Sequence, residues 1–158
     1  MTKTNAMRAL DQARIPYEVF EYVPDESDLS GVHIAAQIGL SVNRVYKTLV
    51  AKGDRTGIMV FCIPCHREID LKRAASVTGN KKVELLHVKD LLPTTGYIRG
   101  GCSPIGMKKR FPTYYHSSIL DHETVYVSAG VRGLQIEISP ASLIGFTCGT
   151  VADIGEEM

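Results

Sequence analysis

Apolar residues recur at helical spacing near the N-terminus, where Ala6, Met7, Ala9, Leu10 and Ala13 fall within residues 4–13. Pro16 closes that pattern by disfavouring helix at Ile15. Residues 17–22, Tyr-Glu-Val-Phe-Glu-Tyr, are dominated by aromatic and β-branched side chains with Glu18 between apolar neighbours, the pattern of a strand. The polar, turn-prone stretch Pro24-Asp25-Glu26-Ser27-Asp28 cannot continue it. Ser30 then stands where it can cap a short helix over Ala35, Ala36 and Ile38, with Gly39 at the left-handed C-terminal position and a loop through Asn43.

Residues 45–51 and 57–63 are both rich in β-formers, and Lys52-Gly53-Asp54-Arg55-Thr56-Gly57 between them carries hairpin turn residues, which predicts an antiparallel pair. Asp70 can cap a helix holding Leu71, Ala74, Ala75 and Val77 and ended by Gly79-Asn80. A short strand over 83–85 and a helical turn over 89–92, stopping before Pro93, lead into the bend Gly96-Tyr97-Ile98-Arg99-Gly100-Gly101. Strands follow at 113–116, 124–128 and 134–138, the last two joined through residues 129–133. Ser139-Pro140 then opens a last helix with proline at its first position. Short strands outnumber helices, and most links are too brief for a parallel crossover. The prediction is an α+β fold: a curled, mainly antiparallel or mixed sheet with surrounding helices, forming one domain over residues 1–158.

Composition narrows what such a domain does. The chain has 158 residues, 18 Lys+Arg against 17 Asp+Glu for a net charge of +1, 44% hydrophobic residues and four Cys. At that length a fold buries roughly 70% of its unfolded surface, so a core forms without disulfides or metal, and a disordered tail protein is excluded. Eighteen consecutive apolar residues occur nowhere, and residues 1–8 lack the apolar region of a secretory signal, so the expected location is the cytoplasm. Near-neutral charge argues against coating nucleic acid by bulk electrostatics; any RNA contact must be focused.

The loudest local pattern, Cys62-Ile63-Pro64-Cys65-His66, matches both the C-x-x-C-H of covalent haem attachment and the C-x-x-C of thiol redox proteins. Haem attachment of that type belongs to exported proteins. A redox pair needs its first Cys at a helix N-terminus, whereas the nearest expected helix begins only at Asp70. Structural zinc would need a second ligand pair, and Cys102 and Cys148 stand alone. The plainer reading is two small residues at a strand end. His33, His66, His87, His116 and His122 are scattered without metal spacing, and no G-x-S-x-G, P-loop or G-x-G-x-x-G occurs.

What remains is one cation and one loop. Lys47 begins an otherwise apolar strand, either snorkelling at its end or facing a ligand. Gly100-Gly101-Cys102-Ser103-Pro104-Ile105-Gly106 packs three Gly and a Pro into seven residues. Such a segment is either an ordinary tight turn or an irregular loop whose unpaired N–H groups suit an ester carbonyl or a phosphate oxygen. Lys108-Lys109-Arg110 follows, then Tyr114, Tyr115 and His116: a solvated face, or a grip on a phosphodiester backbone.

Three pieces in order, Lys47-Thr48-Leu49, the run from Gly96 to Gly106 with Lys108-Lys109, and Val127-Ser128-Ala129-Gly130 with Arg132-Gly133-Leu134, resemble the YbaK/EbsC family. These are free-standing editing domains related to the insertion domain of bacterial prolyl-tRNA synthetase. The match spans nearly the whole chain, with the family's G-x-x-x-P element at Gly100 to Pro104. The ending S-P-x-G-x-K-K is closer to the YbaK branch, whose members deacylate Cys-tRNA(Pro), than to the alanine-editing branches. The resemblance implies a trans-editing deacylase needing no cofactor and no metal, with the 3′ acceptor end of aminoacyl-tRNA and prolyl-tRNA synthetase as partners and neither membrane nor DNA among them. It implies that Lys47, Gly100 and Gly101 are catalytic, that Tyr22, Thr48, Cys102, Ser103, Pro104, Ser128 and Gly130 shape the substrate pocket, and that Lys108, Lys109 and Arg110 hold tRNA. The substrate's own thiol would be the nucleophile, which accounts for the missing triad. A non-catalytic tRNA or synthetase adaptor and an editor of another small amino acid such as alanine are the alternatives.

Overall fold

Each of the helices but one starts where a side chain answers its first free amides. In the computed structural model, which describes residues 2–156, α1 (Asn5–Gln12) is capped by Thr4, whose hydroxyl accepts from the Met7 amide. Met1, Glu157 and Met158, included in the single-domain expectation, lie outside the described residues. The helix turns Ala6, Met7 and Leu10 into the core, and each of the two large side chains contributes roughly 1.5–3 kcal/mol by burial. Ser30 caps α2 (Gly31–Ile38) through the His33 amide, and Asp70 caps α3 (Leu71–Thr78) through those of Lys72 and Arg73; Gly39 and Gly79 end them in left-handed conformations. These match expectation.

The exception is α4 (Val88–Thr95), which runs through Pro93 instead of stopping before it. Proline at that position deprives only the exposed Lys89 carbonyl of its partner, and water can serve there. The turn beyond it is held by the Thr95 hydroxyl on the Leu91 carbonyl and the Gly96 amide on that of Leu92. The last helix, α5 (Pro140–Thr147), has its expected Ser139 cap and proline start, and ends on Cys148 at φ 54°.

The strands divide between two sheets rather than curling as one. β1 (Glu18–Glu21), β7 (Leu134–Ile138) and β6 (Val125–Ser128) form an antiparallel three-stranded sheet in the order β1-β7-β6. A mixed five-stranded sheet has the order β4-β2-β3-β5-β8. Its expected hairpin pairs β2 (Tyr46–Gly53) with β3 (Gly57–Pro64), setting Lys47 opposite Ile63 and Thr48 opposite Cys62. β4 (Val83–Leu85) adds to β2, while β5 (Thr113–His116) and the unexpected β8 (Thr150–Ala152) run parallel on the far side. One bridge, Val45 to Tyr126, joins the sheets, and the Arg44 guanidinium reinforces it by reaching Glu137 at 3.1 Å.

β3 explains why residues 58–63 are an unbroken apolar run. Val60 and Cys62 face a core shared with α1, β6 and β7, while Met59, Phe61 and Ile63 face a second core beneath α3. Successive side chains of a strand point to opposite faces, so a strand covered on both sides has no polar position.

Candidate active site

A cleft of about 370 Å³ opens where the two sheets meet. Its walls come from the start of α2, the first residues of β2, the segment 65–68, the glycine loop, and β6 with β7. Lys47 stands on β2 with its Nζ 3.6 Å from a carboxylate oxygen of Glu68, a residue that is itself 74% exposed. The cation is therefore held loosely. Thr48 lines the cleft beside it, its hydroxyl 3.8 Å from Cys62 Sγ. Behind the wall the Tyr46 hydroxyl meets Ser118 Oγ at 2.7 Å, and Ser118 in turn meets His116 Nδ1 at 2.7 Å.

The structure separates the expected loop residues. Gly100 lines the cleft at φ +83°, a conformation glycine adopts without a Cβ penalty, and among the described residues its amide has no acceptor. Gly101 does not offer a second free donor: it is buried against the backbone of Val131 and Arg132, and its amide donates to the Ile98 carbonyl at 3.0 Å. Cys102 lies in the cleft wall, whereas Ser103 turns inward to accept from the Ile105 amide and Pro104 borders a different hollow. Across the cleft, Ser128 Oγ accepts from the Gly130 amide at 3.1 Å, and Gly130 itself, at φ +102°, backs onto the Tyr97 ring. Tyr22 is not on these walls; its amide continues the β1 pairing by donating to the Gly133 carbonyl.

Lys108, Lys109 and Arg110 are not brought to the cleft either. Lys108 Nζ lies 3.5 Å from the Pro93 carbonyl, while Arg110 lies over the Phe146 ring and reaches Cys148. Lys109 and Arg110 border the hollow that Pro104 shares.

Cys65, Glu68, Arg99 and Gln135 are polar or ionisable members of the wall that were not among the expected site residues. Gln135 is 3% exposed, and among the described residues its shielded Oε1 has no hydrogen-bond partner. A buried acceptor left unpaired costs roughly 1–3 kcal/mol. Cys65, expected as a plain strand-end residue, packs into the wall and donates to the Val42 carbonyl at 3.5 Å. Burial pushes its thiol up to about 11 despite the nearby Lys47 charge, and pushes Cys62 and Cys102 up to about 12. All three are free, neutral thiols near pH 7.

A lysine with a loose partner and a free glycine amide line the same cleft, with the Gln135 side chain in its wall. The fold and the cleft thus define a small α+β domain with a concave site where its two sheets meet. Residues 30–146 match the model of the aminoacyl-tRNA editing domain, and the chain belongs to that family. It is 50% identical over 152 residues, 96% of this chain and 93% of the relative, to a protein of Enterococcus faecalis named "Putative Cys-tRNA(Pro)/Cys-tRNA(Cys) deacylase EbsC". Over 100 residues, 58% of this chain and 17% of the relative, it is 26% identical to the proline–tRNA ligase of Thermosipho melanesiensis. Its fold is that of a crystal structure described as a putative trans-editing enzyme for prolyl-tRNA synthetase, with a TM-score of 0.84 at 23% identity over 99% of this chain and 100% of that one.

Proposed function

We propose that this chain is a trans-editing deacylase that cleaves the aminoacyl ester of Cys-tRNA(Pro), and of Cys-tRNA(Cys) when that ester reaches it. The observation that carries the reading is the pairing of Lys47 with the free Gly100 amide across a cleft that holds no Ser–His or Cys–His pair among the described residues. The 50% identical relative named as a deacylase supports it. The substrate supplies the nucleophile: its cysteine sulfur attacks its own carbonyl carbon, the C–O bond to the ribose breaks, and the thiol proton ends on the departing hydroxyl. A cyclic thioester leaves, and water opens it to cysteine.

In this reading Lys47 contacts the aminoacyl-adenosine end, and the Gly100 amide faces the oxygen that gains charge. One aimed donor of that kind contributes about 3–4 kcal/mol. Gly101 holds the loop in place from behind rather than donating. Thr48, Cys102 and Ser128 shape the pocket, Gly130 supports Ser128, and Gln135 closes the wall beside them. Discrimination is chemical: a hydroxyl is a far weaker nucleophile than a thiol and a methyl is none, so serine and alanine esters bind and persist. Prolyl-tRNA synthetase supplies the choice of tRNA, and the cytoplasm is where both work.

The test is release of labelled cysteine from Cys-tRNA(Pro) in the presence of a chelator, beside Ser-tRNA and Ala-tRNA. Cysteine alone should be released. Faster release of alanine, or loss of activity with the chelator, would overturn the reading.

A further inference from the structure

We propose that Arg99 and Arg132 together clamp the phosphates of a single-stranded RNA 3′ end at the mouth of the cleft, a placement that rests on the deacylase reading above. Arg99 lines the cleft next to Gly100, the loop residue that faces the cavity, and the Arg132 side chain lies against that same glycine. Arg132 Nε donates to the Arg99 carbonyl at 2.9 Å and lies 3.2 Å from where a Cβ on Gly100 would stand, so the side chain is laid across the loop. Arg99 lines the cleft and is exposed, and among the described residues its guanidinium has neither hydrogen bond nor ion pair. An unpaired planar donor beside an anchored one suits a phosphate, whose oxygens accept from guanidinium forks.

The neighbouring acids do not neutralise this pair. In the loop above the cleft, Asp25 is occupied by the amide and hydroxyl of Ser27, and Asp28 by the Ser30 amide with His33 4.0 Å away. Glu68, lining the same cleft as Arg99, pairs with Lys47, and Glu26 lies 3.9 Å from Arg132 at 90% exposed; so loose a surface pair yields readily to a phosphate. One cation inside the cleft and two at its mouth match a ligand whose ester end enters while its backbone stays outside. Lys108, Lys109 and Arg110 stand along another hollow, so the focused contact that a near-neutral chain requires falls to the arginines.

The experiment is anisotropy of the whole protein with an uncharged RNA minihelix ending in unpaired C-C-A, titrated at several salt concentrations. Each lost single-strand phosphate contact lowers the slope of log K against log salt by roughly 0.7, so Arg99→Gln should lower it by that amount and the double variant with Arg132→Gln by roughly twice as much. Arg99→Gln decides the matter even if Arg132→Gln unfolds, because the Arg99 side chain has no partner to lose. A methylphosphonate 5′ of the terminal adenosine should weaken binding to the natural protein and leave binding to the double variant unaltered. An unchanged slope in Arg99→Gln, an equal change in Lys82→Gln, which borders a different hollow, or a slope that moves with Lys108→Gln and Lys109→Gln instead would overturn the clamp. No ester is cleaved in this assay, so its outcome is separate from that of the deacylase reading.

Discussion

Replacing Lys47 by methionine removes the charge from the cleft while keeping most of the apolar stem. The folded protein loses little: the ion pair spans 3.6 Å to a carboxylate that is 74% exposed, and surface pairs of that kind are worth about 0–1 kcal/mol. At this chain length such a change moves the melting temperature by no more than roughly 4 °C. The substrate complex loses more, because a charge-assisted hydrogen bond in a partly dried cleft contributes about 1.5–3 kcal/mol. At 1.36 kcal/mol per tenfold, kcat/KM for Cys-tRNA(Pro) should fall roughly 10- to 150-fold. Initial-rate deacylation and thermal unfolding of the same preparations check both halves. Glu68→Gln makes the comparison sharper: it deletes the same ion pair but leaves the cation, so its rate should rise or hold. A Lys47→Met rate within twofold of the natural protein, or an equal fall in Glu68→Gln, would refute the reasoning.

Two further outcomes follow from local geometry. Gly130→Ala adds a Cβ that would stand 2.8 Å from the Tyr97 ring at φ +102°, so it should cost about 1–3 kcal/mol and loosen the Ser128 contact, read as a lower melting temperature with a raised KM. His116 is held below its ordinary value of 6.5, first by burial and then by the Arg67 guanidinium 3.1 Å away, with Asp153 opposing. Below pH 6.5 the unfolded chain therefore binds a proton that the folded chain resists, and stability should fall as pH drops through that window. Urea midpoints between pH 7.5 and 5.5 should show the slope in the natural protein and a flatter one in His116→Asn; identical curves would dismiss the assignment.

Local grammar was readable in the chain because its causes are local. Ser30, Asp70 and Ser139 cap helices with their own neighbours' amides, and the β2–β3 turn is written in six consecutive residues. Pro93 misled because the penalty of an interior proline depends on whether the orphaned carbonyl is exposed, which sequence does not state. β8 has three unremarkable residues and exists because β5 presents an edge to it. The site divides the same way. Lys47 and Gly100 stood out by their type and setting, whereas Gln135 and Cys65 matter only through what the fold sets against them, one by lacking a partner and the other by filling a wall. Tyr22, Ser103 and Pro104 sit in the right stretches of chain but are not among the residues that line the cleft.

The cleft walls are drawn from residues 29–34, 45–49, 65–68, 99–102, 128 and 135, so no stretch of sequence contains even half of the site. Every closing contact spans a long loop whose entropy must be spent before any neighbour rewards it, and the parallel β3–β5 and β5–β8 pairings raise the contact order further. A chain emerging from the ribosome therefore carries no editing cleft until β7 has docked, because Gln135 and the Arg132 that braces the glycine loop arrive last. Activity is tied to the completion of folding: a truncated or half-folded copy has no partial cleft with which to strip esters indiscriminately from correctly charged tRNA.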